Sequence, residues 1–434
     1  MVPEKPETQE KPETQVLPNS ETINEDQSCT AFSDDKHPCQ NGLRLMSICV
    51  GLCLAVFLVA LDNTIIATAI PKITDEFGAL DAVGWYASAF YINLPIGAVT
   101  VLIILFILKL DENPTQSQET WRTILSKLDP IGTCAFIPGV VCLLLALQWG
   151  RSKYNWSDGR IIALLVIFGV LMIIFCVVQV WKGEAATLPP RIFKNRSMVF
   201  GPMFTFLLGG SFFIMVFFIP IWFQAIKGVS AMKSGIMCIP LILASVVLSL
   251  LTGIVITIWG HYVPLFFVSA IFCAVGAGLL TTLQVHSGAN EWIGYQVIYG
   301  VGIGAGFQLA VIACQVVLDE ADLPLGIAFI VFFQSFGGAI FTSVGESIFL
   351  NGLVSGLHEI APTIDASLLL SSGVTNITRS VPPALLARVQ ETYNSVLAHV
   401  WYVSVALSAL SIIAALGIEW RRIKPGTGFG AMHT

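Results

Sequence analysis

Residues 45–71 read LMSICVGLCLAVFLVALDNTIIATAIP, an apolar run broken by one charge, Asp62. A hydrocarbon core of about 30 Å is crossed by about 20 apolar residues of helix. This stretch is therefore long enough to span a bilayer. Similar runs recur down the chain and predict spans at 46–70, 85–108, 131–149, 161–181, 199–223, 235–257, 263–283, 292–317, 326–349 and 397–419. Charged residues make up 12% of the chain and hydrophobic ones 55%. A soluble domain carries about 25% charged residues, and the mean hydropathy here is +0.79. Inside a bilayer no water pairs with backbone N–H and C=O, so each span must satisfy them within itself as a helix. The runs are too long and too uniformly apolar for the alternating strands of a membrane barrel. The expected fold is an all-α polytopic membrane protein of about ten transmembrane helices. The first span follows a long acidic tail and contains Asp62, which does not fit a cleavable signal peptide.

Lysine and arginine set the orientation. With the N-terminus in the cytoplasm, 14 of the 22 basic residues fall on inside segments, among them Lys109, Arg122, Lys127, Lys182, Arg191, Lys194, Arg196, Arg421 and Arg422. The positive-inside rule favours that arrangement, with both termini cytoplasmic. The first 44 residues are polar and Pro-rich and repeat EKPETQ at 4–9 and 10–15. Such a segment cannot bury enough apolar surface to fold. Of the 10 Cys, two lie in this tail and the rest in predicted spans, so no disulfide framework is implied. Sequons at Asn155 and Asn376 fall on the outer side, and Asn376 lies in the longest predicted outer loop, about 350–396. Both are candidate glycosylation sites.

Several chemistries lack their residues. There is no phosphate-binding G-x-x-x-x-G-K-[ST], no H-E-x-x-H, and the six His are scattered. Neither an enzyme, a metal site nor a cofactor is expected, and no nucleic acid is expected among the partners. The alternating Gly300, Gly302, Gly304 and Gly306 sit within an apolar span with no strand before them. They read as close helix packing rather than a dinucleotide loop.

Two carboxylates stand inside spans, Asp62 and Glu346. Burying an ionisable group is costly, so each is a functional candidate, as a proton carrier whose charge changes with water access. A structural hydrogen bond to a neighbouring helix is the competing role. Gln308 and Gln334 either orient a substrate or join helices. Phe212, Phe213, Phe217, Phe218, Trp222 and Phe223 crowd the fifth span, and Phe332, Phe333 and Phe336 the ninth. Aromatic walls suit a hydrophobic organic substrate, while packing and lipid contact serve equally for any one ring.

Leu61-Asp62-Asn63-Thr64-Ile65-Ile66 through Ile70-Pro71 resembles the first-helix signature of the drug:proton antiporter branch of the major facilitator superfamily. Phe90-Tyr91-Ile92-Asn93-Leu94-Pro95-Ile96-Gly97 resembles the start of that branch's sixth helix. Leu188-Pro189-Pro190-Arg191-Ile192-Phe193, Trp222-Phe223-Gln224-Ala225-Ile226-Lys227-Gly228 and Gln334-Ser335-Phe336-Gly337-Gly338-Ala339 are similar to segments of fungal fourteen-span toxin and drug efflux pumps. The resemblance covers nearly everything from residue 45 onward. It implies a facilitator-type bundle that exports a hydrophobic small molecule (a toxin, drug or secondary metabolite) from the plasma membrane, or from an internal vesicle membrane, by proton antiport. On that reading Asp62 and Glu346 couple protons, and Gln308, Gln334, Phe333 and Trp222 contact substrate.

The chain departs from that pattern at one junction. Trp85-Tyr86-Ala87-Ser88-Ala89, which resembles the opening of the family's second helix, runs directly into Phe90-Tyr91-Ile92-Asn93-Leu94. The family's second to fifth helices are therefore expected to be absent, on the order of 110 residues for four spans and their loops. The expected organisation is a disordered cytoplasmic tail (1–44), a remnant N-terminal helical half with its linker (45–130), a transmembrane bundle including the C-terminal half (131–420) and a cytoplasmic tail (421–434). An even number of lost helices leaves the downstream loops on their sides. Facilitators work by rocking two six-helix halves around a midplane site, so a transport-inactive isoform, sensor or scaffold is the alternative.

Overall fold

The computed structural model describes residues 129–150, 154–183, 189–319, 322–360 and 383–422. The predicted spans at 46–70 and 85–108, Asp62 and Asn376 lie outside those residues. The described helices are α1 (Pro130–Trp149), α2 (Gly159–Lys182), α3 (Ser197–Lys227), α4 (Ala231–Met237), α5 (Ile239–Trp259), α6 (Val263–Thr281), α7 (Ala289–Val317), α8 (Leu323–Ile360) and α9 (Pro383–Leu416). With α4 and α5 counted together, eight of the described segments are long and apolar enough to cross a membrane. They coincide with the third to tenth predicted spans.

Local chemistry sets most of the helix ends. Asp129 caps α1 by accepting the Gly132 N–H at 3.0 Å, with Pro130 at the first helical position where its missing donor costs nothing. Asp158 caps α2 and Ser230 caps α4 in the same way. Gly228 (φ 64°) and Gly260 (φ 69°) end α3 and α5 in the left-handed conformation that suits a residue without Cβ. The predicted span 235–257 starts instead as two pieces, α4 and α5. Pro240 has no N–H to continue the ladder, so the helix breaks at Cys238 and restarts.

Six long helices form one body. The mostly buried α3 runs through its centre and packs on α7, α8 and α9. Helix α7 lies against α5 and α6, and α6 against α9. Helices α1 and α2 form a separate hairpin that meets the body through α1 on α8. Helix α2 is nearly bare, with Val180 82% and Trp181 79% exposed, as a lipid-facing helix requires.

Lipid tails are as apolar as leucine, so close contact rather than water exclusion must hold these helices together. The α7 glycines provide it on two faces. A Cβ on Gly300 would lie 2.5 Å from the Leu241 carbonyl oxygen of α5, and one on Gly302 would lie 2.5 Å from the Cys273 N of α6. Gly304 faces Ser245 of α5, and Gly306 faces Leu208 and Ser269. Helices α3 and α8 cross equally closely, Gly209 against the Gln334 carbonyl and Gly337 against that of Phe206.

The outer loop expected at about 350–396 is shorter, because α8 continues to Ile360 and α9 begins at Pro383. Hydropathy marked only the apolar spans. Beyond them both helices keep one apolar stripe: Leu353, Leu357, Val389, Tyr393 and Val396 stay buried, Phe349 meets Tyr393, and Gly352 and Gly356 lie against Val396 and Thr392.

Candidate substrate face and polar core

Of the aromatic residues singled out in the sequence, Phe332, Phe333 and Phe336 lie along the α3–α8 crossing, where Phe206, Phe329 and Phe341 join them, whereas Phe212, Phe218 and Phe223 pack on Phe307, Phe349 and Trp292. Phe206 of α3 faces Phe333, Phe336 and Phe341 of α8 at ring-centroid separations of 6.2, 6.0 and 5.6 Å. Phe333 also meets Phe329 at 4.7 Å, and Phe332 stacks on Phe336 at 5.5 Å. Phe136 brings α1 against the same seam, 5.3 Å from Phe332. These separations fall in the range of favourable tilted and edge contacts. Phe333 and Gln334, consecutive on α8, are half-buried at this crossing.

The other candidates are placed differently. Gln308 is exposed on α7 and makes no hydrogen bond among the described residues. Trp222 is fully buried near the C-terminal end of α3, where its Nε1 donates to Asn394 Oδ1 at 2.7 Å. Asn394 donates in turn to the Leu283 carbonyl, and Lys227 donates to the carbonyls of Val285 and Ser287 while lying 5.4 Å over the Trp222 ring. Trp222 is thus an anchor tying α3, α9 and the α6–α7 loop, and it presents no free surface to a substrate. Glu346 is partly buried on α8 beside Gly345, which faces Phe218 and Val400. It has no hydrogen-bond or ion-pair partner among the described residues. Asn155 is exposed at the tip of the α1–α2 hairpin.

A groove of about 120 Å³ between α5, α6 and α7 is lined by Leu248, Leu251, Thr252, Val268, Phe272 and Val301. Pockets for drug-sized ligands are about 300–1,000 Å³, so this groove suits an acyl tail better than a substrate.

Two polar arrangements escaped the sequence reading. At the centre of the body, Ser211 Oγ lies 2.7 Å from Tyr299 Oη, 2.6 Å from Ser404 Oγ and 2.8 Å from Ser408 Oγ, all fully buried. This hydroxyl knot joins α3, α7 and α9. Its sequence signal is the stripe Ser404, Ser408 and Ser411, one face of an otherwise apolar helix. The second is Asp129, which is fully buried, has φ 45°, and accepts from Gln179 Nε2 at 2.9 Å and Lys182 Nζ at 2.8 Å. It closes the inner end of the hairpin. An Asp before a Pro at the start of an apolar run was the available signal.

The opposite helix ends are fastened too. Arg191 pairs with Asp322 at 2.6 Å, and Tyr262 Oη donates to the Glu419 carbonyl at 2.8 Å. Burial pushes the Tyr262 hydroxyl above its ordinary pKa, so it stays protonated and able to donate.

A body of six long helices agrees with one six-helix half of a facilitator. The family model described as Major Facilitator Superfamily matches residues 78–342. The chain belongs to that superfamily. It is 41% identical to the MFS-type efflux pump MFS1 of Arthroderma benhamiae, with 88% of this chain and 92% of that one covered. It is 36% identical to the efflux pump roqT of Penicillium rubens, covering 89% and 93%. It is 38% identical to the acetylaranotin efflux transporter ataA of Aspergillus terreus, covering 83% and 96%. The chain is therefore a multi-pass membrane transporter of the efflux-pump group, not an enzyme. The first of these alignments runs over 496 positions, whereas 88% of 434 residues is about 382. About 114 positions hence have no residue of this chain.

Proposed function

We propose that the chain exports a hydrophobic small organic molecule across the plasma membrane in exchange for protons. The observation that carries this reading is the aromatic seam of Phe206, Phe333, Phe336 and Phe136, a contact surface for a ligand recognised by apolar and π interactions. Gln334 would orient that ligand at the same crossing, and Gln308 would serve a polar group nearer the inner end. Glu346, a carboxylate in a span with no partner among the described residues, would carry the proton together with Asp62. The Aspergillus terreus relative is an acetylaranotin efflux transporter, which supports a small organic substrate here. Expression in yeast lacking its own drug pumps tests the reading. Cells should retain less of a lipophilic dye such as rhodamine 6G, and Phe333→Ala should reverse that without lowering the amount of protein in the membrane. Equal retention with and without the chain would refute it.

A second reading has its own support, a transport-inactive form that binds substrate without flux. The 114 or so unmatched positions agree in size with the four spans expected to be absent between Ala89 and Phe90. Sequencing the native transcript across those two codons decides whether an additional in-frame stretch exists.

A further inference from the structure

We infer that the inner end of the bundle holds the phosphate headgroup of an anionic phospholipid, in a basic site built by Arg196, Arg421 and Arg422 around Glu419. Arg196 lies more than 220 positions before the other three in sequence and is joined to them by specific contacts. The Arg196 backbone N–H donates to Glu419 Oε1 at 3.0 Å, and the Glu419 N–H donates to Ser197 Oγ at 3.1 Å. Arg421 Nε donates to Glu419 Oε2 at 2.9 Å, and a backbone bridge sets Arg422 beside His261 of the α5–α6 turn. Both carboxylate oxygens of Glu419 are therefore engaged. The nearby Asp322 is held by Arg191.

What remains is unneutralised cation. The guanidinium groups of Arg196 and Arg422 and the ammonium of Lys194 are exposed and have no carboxylate partner among the described residues. The three arginines Arg196, Arg421 and Arg422 against one engaged carboxylate leave a local excess of positive charge, which a doubly liganded phosphate complements.

The position selects a lipid over a soluble anion. Helix α3 starts at Ser197 and α9 ends at Leu416, so the cations stand where the apolar spans give way to the headgroup layer. Trp420 is 69% exposed between Glu419 and Arg421, and Val199 is 44% exposed one turn into α3. An exposed tryptophan at a span end is a membrane-interface anchor. Basic pockets between helices on the cytoplasmic side are where acidic headgroups bind. A soluble phosphate would make no use of the apolar groups beside the cations.

The test uses the full chain in nanodiscs of phosphatidylcholine, with spin-labelled phosphatidylserine and phosphatidylcholine as probes for lipid held at the protein surface. Wild type should hold the anionic probe several-fold more strongly than the zwitterionic one, with the preference falling as salt rises. Arg196→Gln with Arg422→Gln should reduce the preference by about five-fold for each cation removed. The corresponding pair of lysine substitutions should keep most of it. Lys233→Gln, which removes an exposed cation at the opposite end, should change nothing. Equal retention of the two probes by wild type, or an unchanged preference in the double glutamine variant, would overturn the proposal. Displacement of the anionic probe by millimolar inorganic phosphate would likewise overturn it, in favour of a soluble anion site.

Discussion

Ser211→Ala probes how the six-helix body is held together. The Ser211 hydroxyl lies 2.6–2.8 Å from three other buried hydroxyls on two neighbouring helices. Removing it costs Tyr299 its 2.7 Å partner and Ser408 its 2.8 Å partner. Ser404 keeps an alternative acceptor, the Ser211 carbonyl at 3.2 Å, so its loss is smaller. An orphaned buried hydroxyl costs about 1–3 kcal/mol, and interhelical hydrogen bonds measured in membranes average about 0.6 and reach about 1.7 kcal/mol. The expected cost is about 1–2 kcal/mol, within the overlap of those ranges. Tyr299→Phe alone leaves Ser211 with two partners and should cost about 0.5–1 kcal/mol. In the double variant Tyr299 no longer loses a partner and only Ser408 does, so its cost should fall below the sum of the singles by about 0.5 kcal/mol or more. Equilibrium unfolding of purified protein in mixed detergent and dodecyl sulfate, followed by tryptophan fluorescence, measures all three. A strictly additive cycle, or a Ser211→Ala cost under about 0.3 kcal/mol, would refute the view that this knot joins α3, α7 and α9.

Three further outcomes follow from the same geometry. Gly302→Val should destabilise the body by about 1–3 kcal/mol through overpacking, seen as a lower thermal midpoint, because Cys273 N and the Ser269 carbonyl would lie 2.5 and 2.8 Å from the new Cβ. Asp129→Asn keeps the cap on Gly132 but loses the charge facing Lys182, and should cost about 1–3 kcal/mol. That is below the usual figure for a broken buried pair, since Lys182 is 19% exposed and reaches water; limited proteolysis between α2 and α3 should accelerate. Trp222→Phe should loosen the outer end, where Asn394 loses its 2.7 Å donor, and should speed amide exchange at residues 283–287 while leaving substrate affinity unchanged.

Much of this architecture was legible because membrane physics compresses it into one signal. A run of twenty apolar residues has few structural options, and the third to tenth predicted spans each appear. The alternation of ends is equally consistent, since Arg196 meets Glu419 at one end of the bundle and Trp222 meets Asn394 at the other. The outer extensions of α8 and α9 were not legible, because amphipathic helix outside the bilayer carries too little hydropathy to register. Nor was the hydroxyl knot, whose members Ser211, Tyr299 and Ser404 are ordinary residues until three helices bring them within 3 Å. Of the candidate site, Phe333 and Gln334 lie at the α3–α8 crossing, while Trp222 is buried against Asn394, away from that crossing. A tryptophan near a span end looks interfacial in sequence, and only the contact with Asn394 on α9 places it inside the protein.

Coupled transport by this chain can be read directly in proteoliposomes that hold a pH-sensitive dye and carry an imposed proton gradient. The account predicts that adding a lipophilic substrate accelerates proton movement, and that Glu346→Gln or Asp62→Asn abolishes this response while substrate still binds. Substrate binding with no evoked proton movement by the unaltered chain would contradict it and favour the transport-inactive reading.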